Sequence, residues 1–455
     1  MKYAAVILAA GKGVRMRSEL PKVVHGVGGK PMIKHVVDAV KKAGVDDITV
    51  VVGQGREKVK EVLYETGIRL VIQEEQLGTG HALMQAQDCF NGEEDILVLA
   101  GDTPLLQPST IRGLMTAYEK GGAVAALVSA TIENPFGYGR IVRNRDGSFA
   151  RIVEEKDANA DEKTIKEINS GMYCFKAREV FKALSLVKPD NAQGEYYLTE
   201  VLELLQRAHQ PVAIYTIEDS EEIYGVNDRQ QLSVAEAIIR RRKNIALMQS
   251  GVTIIDPAST FIDVEVSIKP DTIIYPFTFI EGNTEILGGC EIGPFTRIID
   301  SYIGTGVHIE NSVVKSSSIG DNCNIGPFAY LRPDTILHNG VKIGDFVEIK
   351  KSVLGSQSKV PHLSYVGDAK VGSKVNIGAG TITCNYDGKN KHETVIENGA
   401  FIGSNTNLVA PVRIGKNAYT GAGSTITRDV PDGALGVERA KQKNYENWEK
   451  RESKE

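Results

Sequence analysis

The sequence predicts two folds in series, an α/β unit followed by an all-β solenoid. Three observations carry this. From Ile280 to Ile426 an Ile or Val followed by Gly recurs, as at Ile292-Gly293, Ile303-Gly304, Ile319-Gly320, Ile325-Gly326, Ile343-Gly344, Ile377-Gly378, Ile402-Gly403 and Ile414-Gly415. Within stretches the inward-pattern residues return every six positions: Ile280, Ile286, Ile292 and Ile298, then Ile319, Ile325, Leu331, Leu337, Ile343 and Ile349, then Ile402, Leu408, Ile414, Thr420 and Ile426. Ahead of that region, short apolar runs alternate with stretches of helical periodicity, the pattern of βα units.

A step of six suits neither a helix nor an open sheet. In an α-helix six residues turn the chain through about 600° and scatter the apolar positions around the axis. An open antiparallel sheet would alternate with a period of two. The step suits a chain wound as a triangular prism, with one short strand per face, the aliphatic residue inward, and Gly or a small residue turning each corner. Stacked coils then bury one continuous core.

In the first half, Ala4–Ala9 reads as a buried strand. Pro31–Ala43 reads as a helix, with Ile33, Val36, Val37 and Val40 on one face and Pro at its start. Ile48–Val52 and Asp95–Ala100 are further strands, and Glu57–Thr66 a further helix. The alternation implies a mainly parallel sheet with helices on both faces. Ligands of such sheets bind beyond the carboxyl ends of the strands. Chemistry is therefore expected in the loops after Ala9, after Ala100 and near Asn227. Arg229–Met248 is a helix whose basic run, Arg240-Arg241-Arg242-Lys243, reads as a solvated linker. Val252–Asp256 opens the solenoid. The polar insertion Thr383–Glu393 interrupts the repeat and must loop out of the prism. The repeat ends after Arg428, before a polar tail carrying Trp448. The expected domains are 1–228, a linker helix 229–250, and 251–455.

Composition narrows the class. With 42% hydrophobic and 24% charged residues and a net charge of −5, the chain is an ordinary globular protein without the basic balance that nucleic acid calls for. The opening apolar run is too short for a membrane span and is cut off by Gly11-Lys12-Gly13, which argues against a signal peptide. Five scattered cysteines form no CxxC pair, so zinc and a disulfide framework are disfavoured and a cytoplasmic location is expected.

The segment Leu8-Ala9-Ala10-Gly11-Lys12-Gly13-Val14-Arg15-Met16 follows the first strand directly. Its glycines let backbone N–H groups approach phosphates, and Arg15 and Lys22 can add charge against a triphosphate. It is neither a Walker A loop nor a Rossmann GxGxxG, and taken alone it reads equally as a structural turn. Asp102, just past Asp95–Ala100, reads either as a Mg²⁺ ligand, because that hard cation takes few protein oxygens, or as the cap of a turn. Together with Pro21-Lys22, Gln73, Gln76-Leu77-Gly78-Thr79-Gly80-His81, Gly137-Tyr138-Gly139-Arg140, Glu154-Glu155-Lys156, Asn169-Ser170-Gly171 and Gly225-Val226-Asn227, the segment resembles the signature of sugar-phosphate nucleotidyltransferases. The resemblance covers about the first 230 residues and implies a Rossmann-like fold. Val14 departs from it, since the family more often has Thr or Ser there. The resemblance implies UTP and UDP-sugar binding by Leu8, Ala9, Ala10, Gly11, Lys22, Gln73, Gly78, Thr79, Gly139, Glu154, Asn169 and Asn227. It also implies Mg²⁺ on Asp102 and Asn227, and Arg15 and Lys22 as catalytic cations.

The repeat half resembles the left-handed parallel β-helix of hexapeptide-repeat acyltransferases. Its embedded polar residues are Leu331-Arg332-Pro333, Glu348-Ile349-Lys350, Lys359-Val360-Pro361-His362-Leu363-Ser364-Tyr365, Asn376-Ile377-Gly378-Ala379-Gly380, Cys384-Asn385-Tyr386-Asp387-Gly388 and Ile402-Gly403-Ser404. In this order, and with the first half, they resemble the family of bifunctional N-acetylglucosamine-1-phosphate uridylyltransferases and glucosamine-1-phosphate acetyltransferases. That resemblance implies His362 as general base, a role for which an imidazole titrating near neutrality is suited. It implies Arg332 and Lys350 on the phosphate of glucosamine 1-phosphate, with Tyr365 and Asn376 on its sugar. It implies Asn385 and Tyr386 about the amine and acetyl-CoA, and Ala379, Ser404, Ala422 and Arg439 on acetyl-CoA. Transfer in the family is direct, so Cys384 reads as a bystander. The implied substrates are glucosamine 1-phosphate, acetyl-CoA, N-acetylglucosamine 1-phosphate and UTP, and the implied assembly is a homotrimer. The alternatives are a nucleotidyltransferase whose repeats only assemble it, as in ADP-glucose pyrophosphorylases, and a non-enzymatic scaffold.

Overall fold

The computed structural model describes residues 3–64, 67–120, 122–446 and 448. The chain divides into two compact units, Met1–Ile239 and Arg240–Glu455, and the division falls inside the helix Arg229–Gln249.

The first unit is built on a nine-stranded sheet. Seven strands run in the order Val212–Ile217, Ala125–Thr131, Glu167–Lys176, Asp95–Ala100, Tyr3–Ala9, Ile48–Val52 and Arg69–Ile72, and the hairpin Arg140–Arg143/Phe149–Val153 joins the side of Glu167–Lys176. Tyr3–Ala9 pairs in parallel with both Ile48–Val52 and Asp95–Ala100. Alternate residues serve opposite faces, as a pleated strand requires. Ala5 and Ile7 pack with Ile33, Val36, Val37 and Val40 of the helix Met32–Lys42. Val6 packs with Val180, Val201 and Leu202 on the other side. Along the seven-strand order the sheet is mainly parallel, as expected, with Glu167–Lys176 the one reversed strand. Glu167–Lys176 follows a hairpin instead of a crossover helix, and so enters antiparallel to both of its neighbours. The helix expected over Glu57–Thr66 runs Arg56–Leu63, and its expected last residue lies outside the described residues.

The second unit is a parallel β-helix. Its strands form three parallel sheets of eleven, ten and nine strands, and until the last coil each strand pairs with the one three places further along the chain. Ile274 sits opposite Ile292, Ile292 opposite Ile309, and Ile309 opposite Ile325. Every six-step position from Ile280 to Ile426 is buried, Thr420 included. Thr420 carries a hydroxyl where the other coils have an aliphatic branch, and that hydroxyl accepts the Gly403 N–H at 3.0 Å.

Gly293 (φ 102°) and Gly326 (φ 108°) have the positive φ expected of corner glycines, but the other glycines after Ile do a different job. Gly344 has no positive φ; a Cβ built on it would lie 1.8 Å from the Pro361 carbonyl oxygen of the next coil. Its role is to let coils close on one another. Many corners are turned instead by non-glycine residues in the left-handed region, such as Phe328 (φ 59°), Phe346 (φ 55°) and Leu363 (φ 50°).

The basic run is not simply solvated. Lys243 donates to the carbonyls of Val264 and Val266 at 2.9 and 2.6 Å, and burial lowers its pKa. Asn244 donates to Pro257 and Thr260 carbonyls, Arg240 lies 4.2 Å from the Phe261 ring centroid, and Leu247 joins the prism core. The helix closes the first coil. Among the described residues no helix is long and apolar enough to cross a membrane.

Candidate active sites

In the first unit three loops meet at the carboxyl edge of the sheet. The Gly-rich loop leaves Ala9, makes a short turn at Val14–Met16, and is anchored by Met16, which is 1% exposed. Gly13 is left-handed (φ 59°), and a Cβ there would meet Lys22 Cβ at 2.8 Å, so the loop folds directly onto the lysine. Arg15 and Val14 are exposed, so the missing hydroxyl at Val14 removes no internal contact. The Asp102 loop is tied down by Gly101 N–H to Leu8 carbonyl at 2.9 Å. Val226 N–H donates to the Asp102 carbonyl at 2.9 Å, which brings the third loop alongside. The result is one cluster: Lys22 Nζ pairs with the Asp102 carboxylate and donates to Asn227 Oδ1 at 3.1 Å.

This cluster passes a test for the metal the family implies. A carboxylate and an amide oxygen converge on a single cationic atom, and both are hard oxygen donors of the kind Mg²⁺ takes. Among the described residues no group of three His, Cys, Asp or Glu forms a denser metal cage. The pair therefore suits a cation that completes its coordination with phosphate and water.

Two further groups line the same unit. Buried Gln73 donates to the Gly78 carbonyl at 3.2 Å and contacts His81 Nδ1 at 3.0 Å. A Cβ at Gly78 (φ 108°) would lie 2.7 Å from the Tyr196 carbonyl oxygen, and the Thr79 hydroxyl accepts Leu198 N–H at 3.2 Å. Gly139, Glu154 and Asn169 also come together. A Cβ at Gly139 would lie 3.3 Å from a Glu154 carboxylate oxygen, and Asn169 N–H donates to the Gly139 carbonyl at 2.9 Å. Burial holds the Glu154 carboxyl above its ordinary value, against the Thr199 hydroxyl that donates to it at 3.1 Å. Glu154 and Thr199 share a cavity of about 350 Å³ with Asp157 and Tyr197.

In the second unit the polar residues stack coil on coil. Arg332 pairs with Glu348 at 2.8 Å and Lys350 with Asp368 at 3.4 Å. Asn385 Nδ2 donates to Asp368 at 2.5 Å and to Tyr365 Oη at 3.3 Å. Gly367 makes room for this: a Cβ there would lie 2.3 Å from Tyr365 Oη and 2.8 Å from Asn385 Nδ2. Around the corner, His362 ends the strand Lys359–His362, and its Nδ1 lies 2.5 Å from an Asp345 carboxylate oxygen. Neither cationic Arg332 nor Lys350 is paired with this ring. The side chain in contact with it is anionic Asp345, because Arg332 and Lys350 are held by their own carboxylates on the next face.

Asn376 lies on the strand after His362, paired with Lys359. Ala379, Ser404 and Ala422 occupy one corner on successive coils, linked by Asn405 N–H to Ala379 carbonyl and Gly423 N–H to Ser404 carbonyl. Arg439 Nη1 closes that line on the Ala422 carbonyl at 2.9 Å. Asn385 sits with Tyr365 and Asp368 rather than in this line. Tyr386 is in the insertion, a tight loop in which it bridges Lys391 and in which Asp387 accepts N–H groups of Lys389 and Asn390 and contacts His392 Nε2 at 2.8 Å. Those bonds pull the Asp387 carboxyl down to about 2. Burial pushes the Cys384 thiol up, away from the thiolate a nucleophile needs.

Sequence reading alone missed Lys391, Asp368 and Asp345. Lys391 returns on the insertion against Lys350, whose ammonium depresses the Lys391 pKa. Two ammoniums so placed form a receptor for an anion such as a phosphate. The signal for Asp345 is the coil length, which sets it opposite His362.

Relatives resolve the identity of this arrangement. Residues 5–166 match the MobA-like NTP transferase domain, and residues 316–351 and 393–428 match the bacterial transferase hexapeptide repeat. The chain is 62% identical to the bifunctional protein GlmU of Syntrophomonas wolfei, over 98% of this chain and 99% of that one. It is 56% identical to those of Carboxydothermus hydrogenoformans and Heliobacterium modesticaldum, each over 98% of this chain. The chain belongs to the GlmU family. Its two units are thus the nucleotidyltransferase and the left-handed hexapeptide β-helix of a GlmU.

Proposed function

We infer that the chain makes UDP-N-acetylglucosamine in two steps, one per unit, as a cytoplasmic homotrimer feeding peptidoglycan and, where present, lipopolysaccharide precursor synthesis. The observation that supports two activities rather than one is the stacked cluster of the second unit. A prism used only for assembly has no need of Lys350, Asp368, Tyr365 and Asn385 converging beside a His–carboxylate pair.

In the first step the amine of glucosamine 1-phosphate attacks the thioester carbonyl of acetyl-CoA. A C–N bond forms and the C–S bond breaks. His362 takes the amine proton, and the departing thiolate ends as the thiol of CoA. Arg332, Lys350 and Lys391 hold the phosphate, while Tyr365, Asn376 and Asn385 place the sugar. Tyr386, the corner line Ala379–Ser404–Ala422 and Arg439 receive acetyl-CoA. In the second step a phosphate oxygen of N-acetylglucosamine 1-phosphate attacks the α-phosphorus of UTP, and pyrophosphate leaves. The residues contribute positioning and charge neutralisation, with no enzyme nucleophile. The Leu8–Gly11 backbone, Gln73, Gly78 and Thr79 shape the nucleotide side, and Gly139, Glu154 and Asn169 the sugar side. Arg15 and Lys22 neutralise the departing pyrophosphate. A Mg²⁺ held by Asp102 and Asn227 supplies further neutralisation of the triphosphate when bound.

Assaying each half-reaction separately tests the reading. His362→Ala should lower kcat for acetyl transfer by about a hundredfold or more, the usual worth of a positioned base, with uridylyl transfer untouched. Cys384→Ala should stay close to wild type. Near-normal acetyl transfer in His362→Ala, or acetyl trapped on Cys384, would overturn it. The trimer rests on the three flat faces of the prism and on closed cyclic symmetry. Light scattering should give about three times the chain mass; a stable monomer with full acetyltransferase activity contradicts it.

A further inference from the structure

We propose that Asp345 is the positioning residue of the acetyl transfer: its carboxylate accepts the Nδ1 proton of His362, so that the ring presents an Nε2 lone pair to the substrate amine. This rests on His362 being the base.

The contact is built by the backbone. Asp345 and His362 end adjacent strands and are direct partners in the parallel ladder, so their side chains leave the prism side by side. Leu363 N–H donates to the Asp345 carbonyl at 3.0 Å, which fixes the two coils at the point where the pair projects. The Nδ1 to carboxylate separation is 2.5 Å. Charged side chains on the elements packed against the ring are Lys342 and Asp345 on the preceding strand and Lys359 on its own. The following strand brings neutral Asn376, and the face around the corner brings Glu348, Lys350 and Tyr365. Among the described residues only Asp345 makes a polar contact with the ring.

The chemistry follows from the two ring nitrogens. A neutral imidazole has one N–H and one lone pair, and the partner of one nitrogen sets the state of the other. A carboxylate can only accept, so Nδ1 carries the proton and Nε2 stays basic. When Nε2 takes the amine proton, the imidazolium is stabilised by the adjacent negative charge, and Asp345 itself remains unprotonated. The carboxyl is held below the usual range by this bond, as a group that stays ionised requires. Burial is modest at both side chains, 38% exposed for Asp345 and 57% for His362, so the pair is open to a substrate.

Three variants of the full-length enzyme separate orientation from charge. Asp345→Ala removes both and should lower kcat for acetyl transfer by about tenfold, as loss of an orienting partner does. Asp345→Asn can still offer an amide oxygen to Nδ1, and should keep most of kcat. In both, KM for acetyl-CoA should stay unchanged, because the carboxylate acts through the ring and not on that substrate. His362→Ala completes the series, and uridylyl transfer in the same preparations reports folding. An Asp345→Ala enzyme with normal kcat, or with a kcat no lower than that of Asp345→Asn, overturns the proposal while leaving the base in place. Normal acetyl transfer in His362→Ala overturns both.

Discussion

Lys22 and Asn227 are hydrogen-bonded across the nucleotide loop at 3.1 Å, and the same ammonium is paired with the Asp102 carboxylate. A lysine thus sits between the two oxygens proposed to hold Mg²⁺. Asp102→Ala removes one oxygen and leaves Lys22 with a single neutral partner. Uridylyl transfer should fall by at least about a hundredfold, the scale of losing a key electrostatic group. Acetyl transfer should persist, because its residues lie in the other compact unit. Parallel assays of the purified variant check this, and equal loss of both activities in a folded protein contradicts it.

Lys391 is expected to matter for the phosphate rather than for the acetyl group. Its ammonium is crowded by Lys350, so the free protein bears a local repulsion that a phosphate dianion relieves. Lys391→Ala should raise KM for glucosamine 1-phosphate by about tenfold with kcat little changed. Added salt should weaken the wild type more than the variant. Steady-state kinetics at two ionic strengths provide the readout, and an unchanged KM removes Lys391 from the phosphate site.

Glu154 should cost stability at neutral pH. Its folded pKa is raised, mainly by burial, so the folded state holds this proton more tightly than the unfolded chain does. Its contribution is therefore greatest below the ordinary carboxylate pKa and is lost as pH rises through the raised value. Glu154→Gln removes the buried charge and keeps an oxygen for Thr199. The melting temperature of the first unit should rise by about 2–4 °C near pH 7.5, and the gain should vanish near pH 4. Binding of the UDP-sugar should weaken in the same variant. A gain that does not vary with pH would show that the charge is not the cause.

The core of the second unit was legible because one number, six, fixed which residues turn inward, and all of those residues are buried. The nucleotide loops were legible because strand ends locate them. Contacts made between coils were not. Asp345 and His362 meet only once the number of residues per turn of the prism is known. Lys391 comes back on an insertion whose path no repeat dictates. The Ile-Gly glycines were all assigned to corners, which suits Gly293 and Gly326, whereas sterics place others between coils, as at Gly344. Lys243 looked solvated because a basic run on a helix usually is. Here carbonyls of the first coil needed a donor.

That last contact has a practical meaning for anyone cutting the molecule in two. The apolar end of the prism and the free backbone of its first strands are covered by Lys243, Asn244 and Leu247. A fragment beginning at Gly251 would present that end bare. Identical bare ends offer unpaired strands to one another, the condition for chains to add end to end as filaments. The covalent boundary of an independently soluble acetyltransferase therefore lies upstream, near Arg240, where the second unit begins inside the helix, and the stretch from there to Gln249 travels with the solenoid as its lid.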